Sequence, residues 1–292
     1  MTPESLVQEA KHLYSLPDVA LRINQLIDDP ASQPSELAEV ILCDPALSAR
    51  LLRLLNSAFY ARSQPVETVT QAIKMIGYEA LRDLVFATCA VDVFKGLPPE
   101  RMDMERFWLN GVACGIAART LALHLSLPES ESERLFLTGL LHGLGKLMLL
   151  SQRPEAYLEV LKLSDEDGLE LVQAEEQAFG FNHAELSAAL LKSWQLPESL
   201  WQPIAHYLNP DAAVCYRTET EILYAARVIA RLFQAAMFER ESMQSDEATE
   251  KLHALAERLK LAPETLARLP GDINLQVTEM YEVMMPGWML VY

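Results

Sequence analysis

Apolar residues recur at intervals of three and four along almost all of the 292-residue chain, and only 11 glycines interrupt them. That spacing puts them on one face of a 3.6-residue helix, and no alternating run of β-branched residues competes with it. It predicts an all-α protein. The helix-start signals agree. Asp44-Pro45 offers an N-cap carboxylate followed by a proline, whose missing N–H is no loss at a first helical position. The helix it opens turns Leu47, Leu51, Leu54 and Leu55 inward. Pro17 opens a segment with Val19, Ile23, Leu26 and Ile27 on one face, and Ser35 is the expected N-cap of a helix over 36–43 that buries Leu37, Val40 and Ile41.

Further along, Gly77 is expected to end a helix that starts near Val69, ahead of another over 79–94. Gly96-Leu97-Pro98-Pro99 marks a break. A long helix over 103–124 carries Gly111 and Gly115, a spacing that lets a second helix approach closely. More helices are expected over 131–142, 143–151, from Pro154, and over 169–179, 183–194, 198–207 and 220–237, with Asp165–Gly168 as a solvated turn. The division this suggests is an N-terminal helical lobe over 1–100, a second helical lobe over 101–238 and a C-terminal helical appendage over 239–292. The appendage holds a charged helix over 246–259 and a Met- and aromatic-rich ending over 280–292. That ending either folds back on the chain's own core or docks on a partner, including a second copy as a homodimer.

The formal charge of −17 is spread along the chain, with no cluster of Lys and Arg. Such a field repels nucleic acid and anionic lipid, so the expected partner is another protein, with no direct nucleic acid and no membrane. No run reaches the roughly 20 apolar residues that span a bilayer, and the N-terminus lacks the basic and apolar regions of a signal peptide. A cytoplasmic location is expected. Cys43, Cys89, Cys114 and Cys215 are isolated, without a Cys-x-x-Cys pair, and are read as buried reduced thiols.

One run joins these helices to chemistry. Asp44 to Tyr60 reads Asp-Pro-Ala-Leu-Ser-Ala-Arg-Leu-Leu-Arg-Leu-Leu-Asn-Ser-Ala-Phe-Tyr. Leu16-Pro17 and Glu36-Leu37-Ala38 precede it, and Gln71-Ala72-Ile73 and Ile76-Gly77 follow. With Phe107-Trp108, the Gly-Leu-Leu-His-Gly-Leu-Gly-Lys-Leu of Gly139–Leu147, Phe179-Gly180 and Trp194-Gln195-Leu196-Pro197, this resembles the HDOD family over about Leu16 to Pro210. These are bacterial signalling modules related to HD-type phosphohydrolases.

The resemblance implies two packed helical lobes, the second derived from the HD fold. HD enzymes hold one or two divalent metals with a His, an adjacent His-Asp pair and a distant Asp, and the metal activates water and polarises the phosphoryl group. Matched residue by residue, the first His falls at Asn110, the pair at His142-Gly143 and the distant Asp near Arg227. Gly143 offers no side chain where a carboxylate would supply the oxygen donor, and Arg227 is a cation where a cation's ligand belonged. The double His that often precedes the proline near Pro210 reads Tyr207-Leu208, with His206 one position away.

The site thus reads as a degenerate HD centre made of Asn110, His142, Gly143, Lys146, His183, His206 and Arg227, with no catalytic residue, no cofactor and no metal. A zinc ion on His142, His183 and His206 is the residual metal reading, if they converge. The alternative for each is structural. His142 hydrogen-bonds inside the helical core, His183 caps or orients a helix start, and Lys146 snorkels or pairs with a carboxylate. Asp44, Asn56 and Ser57 are partner or lobe-docking candidates, Asn56 by bonding a neighbouring loop.

The expected function is a non-catalytic output or regulatory module acting through protein contacts. A metal-dependent phosphohydrolase acting on a nucleotide or cyclic dinucleotide is the alternative. A third reading takes residues 35–55 as a helix-turn-helix-like DNA binder, with only Arg50 and Arg53 to serve it. The family is often joined to receiver or cyclic-dinucleotide domains; none is visible here, so the chain is expected to act alone, with a separate sensor, or as a piece of a longer protein.

Overall fold

The computed structural model describes residues 1–29, 31–57, 60, 65–95, 97, 102–164, 169–239 and 246–285. Helices fill most of these residues, and no strand occurs among them. The first half carries α1 (Pro3–Glu9), α2 (Asp18–Asp28), α3 (Pro34–Leu42), α4 (Pro45–Leu55), α5 (Val69–Val93), α6 (Met104–His124) and α7 (Glu129–Leu141). The second half carries α8 (Leu144–Gln152), α9 (Pro154–Leu163), α10 (Leu169–Phe179), α11 (His183–Ser193), α12 (Glu198–His206), α13 (Arg217–Gln234), α14 (Asp246–Leu259), α15 (Pro263–Asp272) and α16 (Asn274–Met284). The all-α expectation holds.

The chain forms two compact units. The larger contains Met1–Ser15 and Gly96–Asp272, the smaller Leu16–Lys95 and Ile273–Tyr292. The boundary near residue 96 agrees with the Gly96–Pro99 break, most of which lies outside the described residues. The ends differ from the expected three-part division: α1 belongs with the larger unit, and 239–292 is shared between the two rather than standing apart. In the larger unit α14 buries Leu252, Leu255 and Leu259, and its Arg258 reaches Asp211 at 2.8 Å and Glu221 at 3.4 Å. In the smaller unit α16 packs on α4 with Met280, Tyr281 and Met284 buried. As far as Met285 the Met-rich ending therefore folds back on its own unit; residues 286–292 lie outside the described set.

Within the smaller unit α4 is fixed from both ends. Asp44 Oδ1 accepts from the N–H groups of Ala46 and Leu47, both at 3.0 Å, so the residue is the N-cap the sequence predicts. Leu47, Leu51, Leu54 and Leu55 are buried. In α2, Ile23 and Leu26 are buried while Val19 and Ile27 are half-buried, and in α3 Leu37 and Ile41 are buried while Val40 is half-buried. Ser35 is not a cap: Pro34 takes the first helical position, so the cap moves back to Gln33, whose N–H donates to Glu36 Oε2 at 2.8 Å. Gly77, at φ 78° and ψ 176°, breaks α5 into the two segments expected.

In the larger unit, α6 and α7 touch backbone to backbone. A Cβ on Gly115 would lie 2.5 Å from Phe136 O, and one on Gly139 would lie 2.6 Å from Gly115 Cα. The Gly111–Gly115 spacing is thus a packing device. Residues 129–152 are long and apolar enough to cross a membrane, contrary to the expectation from sequence; 83% of their most apolar 18-residue window is buried inside the protein, and a turn at His142–Gly143 splits the stretch in two. Of the cysteines, Cys89 and Cys114 are buried, whereas Cys43 and Cys215 are exposed, because they sit in the turns that precede α4 and α13.

Candidate functional site

All of the degenerate-centre residues belong to the larger unit. Three turns of sequence bring them to the helix ends where a chain can carry polar groups inward. His142 closes α7, His183 is the first residue of α11, and Tyr207 follows α12. Arg227 projects from the middle of α13, whose Ile222, Leu223, Ala226 and Ala230 are fully buried.

His142 is 4% exposed, and its Nδ1 lies 2.6 Å from Gly139 O. A carbonyl only accepts, so Nδ1 carries the proton. Burial pushes the imidazole pKa down to about 3, with Lys146 and Arg227 adding to the effect, so the ring is neutral. The ring meets Tyr207 edge-on, with centres 5.3 Å apart. The expected core hydrogen bond of His142 is present.

His183 does not cap its helix. Asn182 does, accepting from the Ala184 and Glu185 N–H groups at 3.0 and 3.1 Å. His183 instead joins a buried chain. Its backbone N–H and its Nδ1 both meet Glu175 Oε2, at 2.9 and 2.7 Å, and its Nε2 meets Tyr207 Oη at 2.8 Å. Glu175 Oε1 accepts from Tyr157 Oη at 2.9 Å. Burial alone would raise the Glu175 carboxyl, but His183 and its two donors hold it below the ordinary carboxylate value. Burial lowers His183 against the pull of Glu175, and it raises the Tyr207 hydroxyl, which stays protonated.

Arg227 is 8% exposed, with its guanidinium carbon 5.9 Å from the centre of the Tyr207 ring. Its charge and that of half-buried Lys146 act on both histidines. The Cys114 thiol, from α6, is pushed up to about 12 by burial, with Arg227 opposing.

Two glycines set the floor. A Cβ on Gly145 would fall 2.1 Å from His183 O and 2.9 Å from Ser187 N, so α8 and α11 cross there with no room for a side chain. Gly145 N–H donates to Ser187 Oγ at 2.7 Å, and that hydroxyl lies 2.8 Å from both His142 O and His183 O. Gly143 has ordinary right-handed dihedrals, and a Cβ there would lie 3.2 Å from Phe107 Cε2. One turn beyond Phe107, Asn110 is half-buried, and its Oδ1 is buried without a hydrogen-bond partner.

The structure therefore gathers His142, His183 and Arg227 around Tyr207. The set His142, His183 and His206 is not assembled: among the described residues no group of three or more His, Cys, Asp or Glu side chains could hold a metal ion. The neighbour of His206, Tyr207, meets His183 instead. The donor set does not fit a hard divalent cation, since the positions matched to ligands carry an amide, a bare glycine and a guanidinium. In the smaller unit Asn56 does bond a neighbouring loop, exchanging 2.8 and 2.7 Å bonds with Val66 O and N–H, and Ser57 Oγ donates to Leu54 O at 2.7 Å.

Sequence reasoning missed Glu175, Tyr157 and Ser187. One signal was available: Leu171, Glu175 and Phe179 share a face of α10, so a glutamate occupies an apolar position.

Comparison with known proteins agrees with the fold. The HDOD domain family model matches residues 13–210, and the chain belongs to the HDOD family. A candidate phosphohydrolase from Shewanella amazonensis SB2B, of known crystal structure, is 27% identical with a TM-score of 0.73, over 96% of this chain and 97% of its own. A candidate signal transduction protein from Marinobacter aquaeolei VT8 shares the fold at 21% identity and TM-score 0.65, over 95% of this chain and 61% of its own. An uncharacterized protein of Treponema pallidum (strain Nichols) is 27% identical over 214 residues, which are 73% of this chain and 41% of that longer protein.

Proposed function

We propose that this HDOD chain is a non-catalytic signalling module, acting in the cytoplasm by binding another protein. The observation that carries the reading is Arg227, whose guanidinium stands over Tyr207 in the cluster that holds His142 and His183. A fixed positive charge there opposes a divalent cation. Gly143 strengthens the point, because a carboxylate restored at this position would meet the Phe107 ring. The net charge of −17 favours a protein partner over nucleic acid. The DNA-binding reading also loses one of its two arginines, since Arg50 is 7% exposed and bonded to Thr88 O and Asp92 within its own unit.

The second reading, a metal-dependent phosphohydrolase, draws on the name carried by the Shewanella protein. One experiment separates the two. Metal content of the purified protein is measured by plasma mass spectrometry with His142→Ala as control. The expected result is below about a tenth of an equivalent, as for a site lacking its ligand set. A near-stoichiometric metal that disappears in His142→Ala would overturn the reading. Gly143→Asp alone is expected to create no phosphatase activity, because Asn110 still stands at the other ligand position.

A further inference from the structure

We propose that the Tyr157–Glu175–His183–Tyr207 chain is a one-way hydrogen-bond relay in which Glu175 acts as the positioning residue for Tyr207, holding that ring against His142 and Arg227. In this protein the relay takes over the tying role that a metal ion plays in an HD-type centre, so the inference rests on the non-catalytic reading above.

The proton order follows from the partners alone. An ionised carboxylate only accepts. Glu175 Oε1 therefore takes the Tyr157 O–H, and Oε2 takes both the backbone N–H and the Nδ1–H of His183. With its one proton on Nδ1, the neutral His183 ring has a bare Nε2, which accepts from the Tyr207 O–H. No bond in the chain can be reversed while Glu175 stays charged. Each member stands on a different element: α9, α10, the start of α11 and the residue after α12. All four side chains are 0% exposed, so no water competes for these bonds.

The order matters because of what lies at its end. The Tyr207 hydroxyl is spent as a donor to His183, which fixes the ring's height and tilt. The ring then stands perpendicular to that of His142, with centres 5.3 Å apart, and has the Arg227 guanidinium over it, 5.9 Å from its centre. The influence of Glu175 on both groups runs through His183 and Tyr207.

The test is nitrogen–proton NMR of the histidine rings in the full chain. The wild-type protein is expected to show His183 and His142 in the Nδ1–H tautomer, the minor form of a free imidazole. Glu175→Ala removes the acceptor, so His183 should revert to the Nε2–H form, and the ring-proton signals of His142 should move although Glu175 does not touch it. Glu175→Gln keeps an acceptor oxygen for both His183 donors and turns its amide to Tyr157, so it should preserve the Nδ1–H form and the His142 signals. A wild-type His183 in the Nε2–H form overturns the relay, as does a Glu175→Ala protein with unmoved His142 signals. If Glu175→Ala does not fold, Glu175→Gln decides: loss of the Nδ1–H form overturns the proposal and its retention supports it. The function reading fails separately, on metal content, whatever the tautomer.

Discussion

Around α4 in the smaller unit, polar side chains bond mainly to backbone; in the buried chain of the larger unit, Tyr157, Glu175, His183 and Tyr207 bond to one another. Asp44 caps α4, Ser48 Oγ donates to Ile41 O at 2.8 Å, Arg50 reaches Thr88 O at 3.2 Å, and Asn56 clamps the Val66 peptide on both sides. The Asp44, Ser48 and Asn56 bonds each satisfy a helix end or loop, the Arg50 bond reaches a carbonyl inside α5, and each acts alone. Arg50 adds a side-chain bond to Asp92, itself half exposed. In the larger unit Tyr157, Glu175, His183 and Tyr207 satisfy one another, so removing one strands the rest. The first design is a set of independent clamps. The second is a coupled network around a single buried charge, and it sits where the resemblance expects a metal centre.

Loss of the shared charge should have the largest effect. Glu175→Ala leaves the two His183 N–H donors and the Tyr157 hydroxyl without this acceptor, and at about 1–3 kcal/mol for each stranded buried group it is expected to cost about 3–5 kcal/mol. Urea unfolding followed by tryptophan fluorescence reads this in the larger unit, which contains Trp108, Trp194 and Trp201. A cost below about 1 kcal/mol, the scale of a single neutral hydrogen bond, would erase the contrast between the units.

A smaller and local loss is expected for Asn56→Ala. It removes the two bonds from the exposed Asn56 side chain to the buried Val66 peptide and should cost about 2 kcal/mol. Amide exchange should show the Val66 N–H deprotected while α11 in the larger unit stays protected. Deprotection that spreads to α11 would mean the clamps are not independent.

Read per pH unit, the smallest increment comes from acid. The folded pKa of His142 is depressed from 6.5 to about 3 and that of His183 is lowered too, so between those values the unfolded chain takes up protons that the folded one refuses. Stability is therefore full above about pH 6.5 and falls as the pH falls, by about 1.4 kcal/mol per pH unit for each histidine. Glu175, also depressed, acts in the same direction below its ordinary value. Replacing His142 with Asn should remove about one proton's worth of slope between pH 6 and 4 in pH-dependent urea titrations. An unchanged slope would mean that His142 is protonated in the folded protein.

Most helices were legible because their evidence is local. Asp44-Pro45 declares a helix start in two residues, and the four-residue spacing of Gly111 and Gly115 announces a close crossing before its partner is known. Asn110, His142, Gly143 and Arg227 were singled out only through resemblance to a pattern. What those residues now do was not legible. His183 lies 24 residues from Tyr207 and eight from Glu175, and nothing in that separation says that the three side chains meet. Ser35 shows the converse: a good cap residue lost its role because Pro34, one position earlier, is the better first helical residue.

By itself the sequence determined an all-α protein of the HDOD family, the start of α4 and the tight glycine crossing, since periodicity, caps and residue identity are properties of neighbouring positions. Only the tertiary structure decided that α1 joins the larger unit and α16 the smaller, that Phe107 covers Gly143, and that a glutamate on the apolar face of α10 is the centre of a buried network. Those outcomes depend on which helix faces meet, and a buried charge is tolerable only where distant helices deliver its donors.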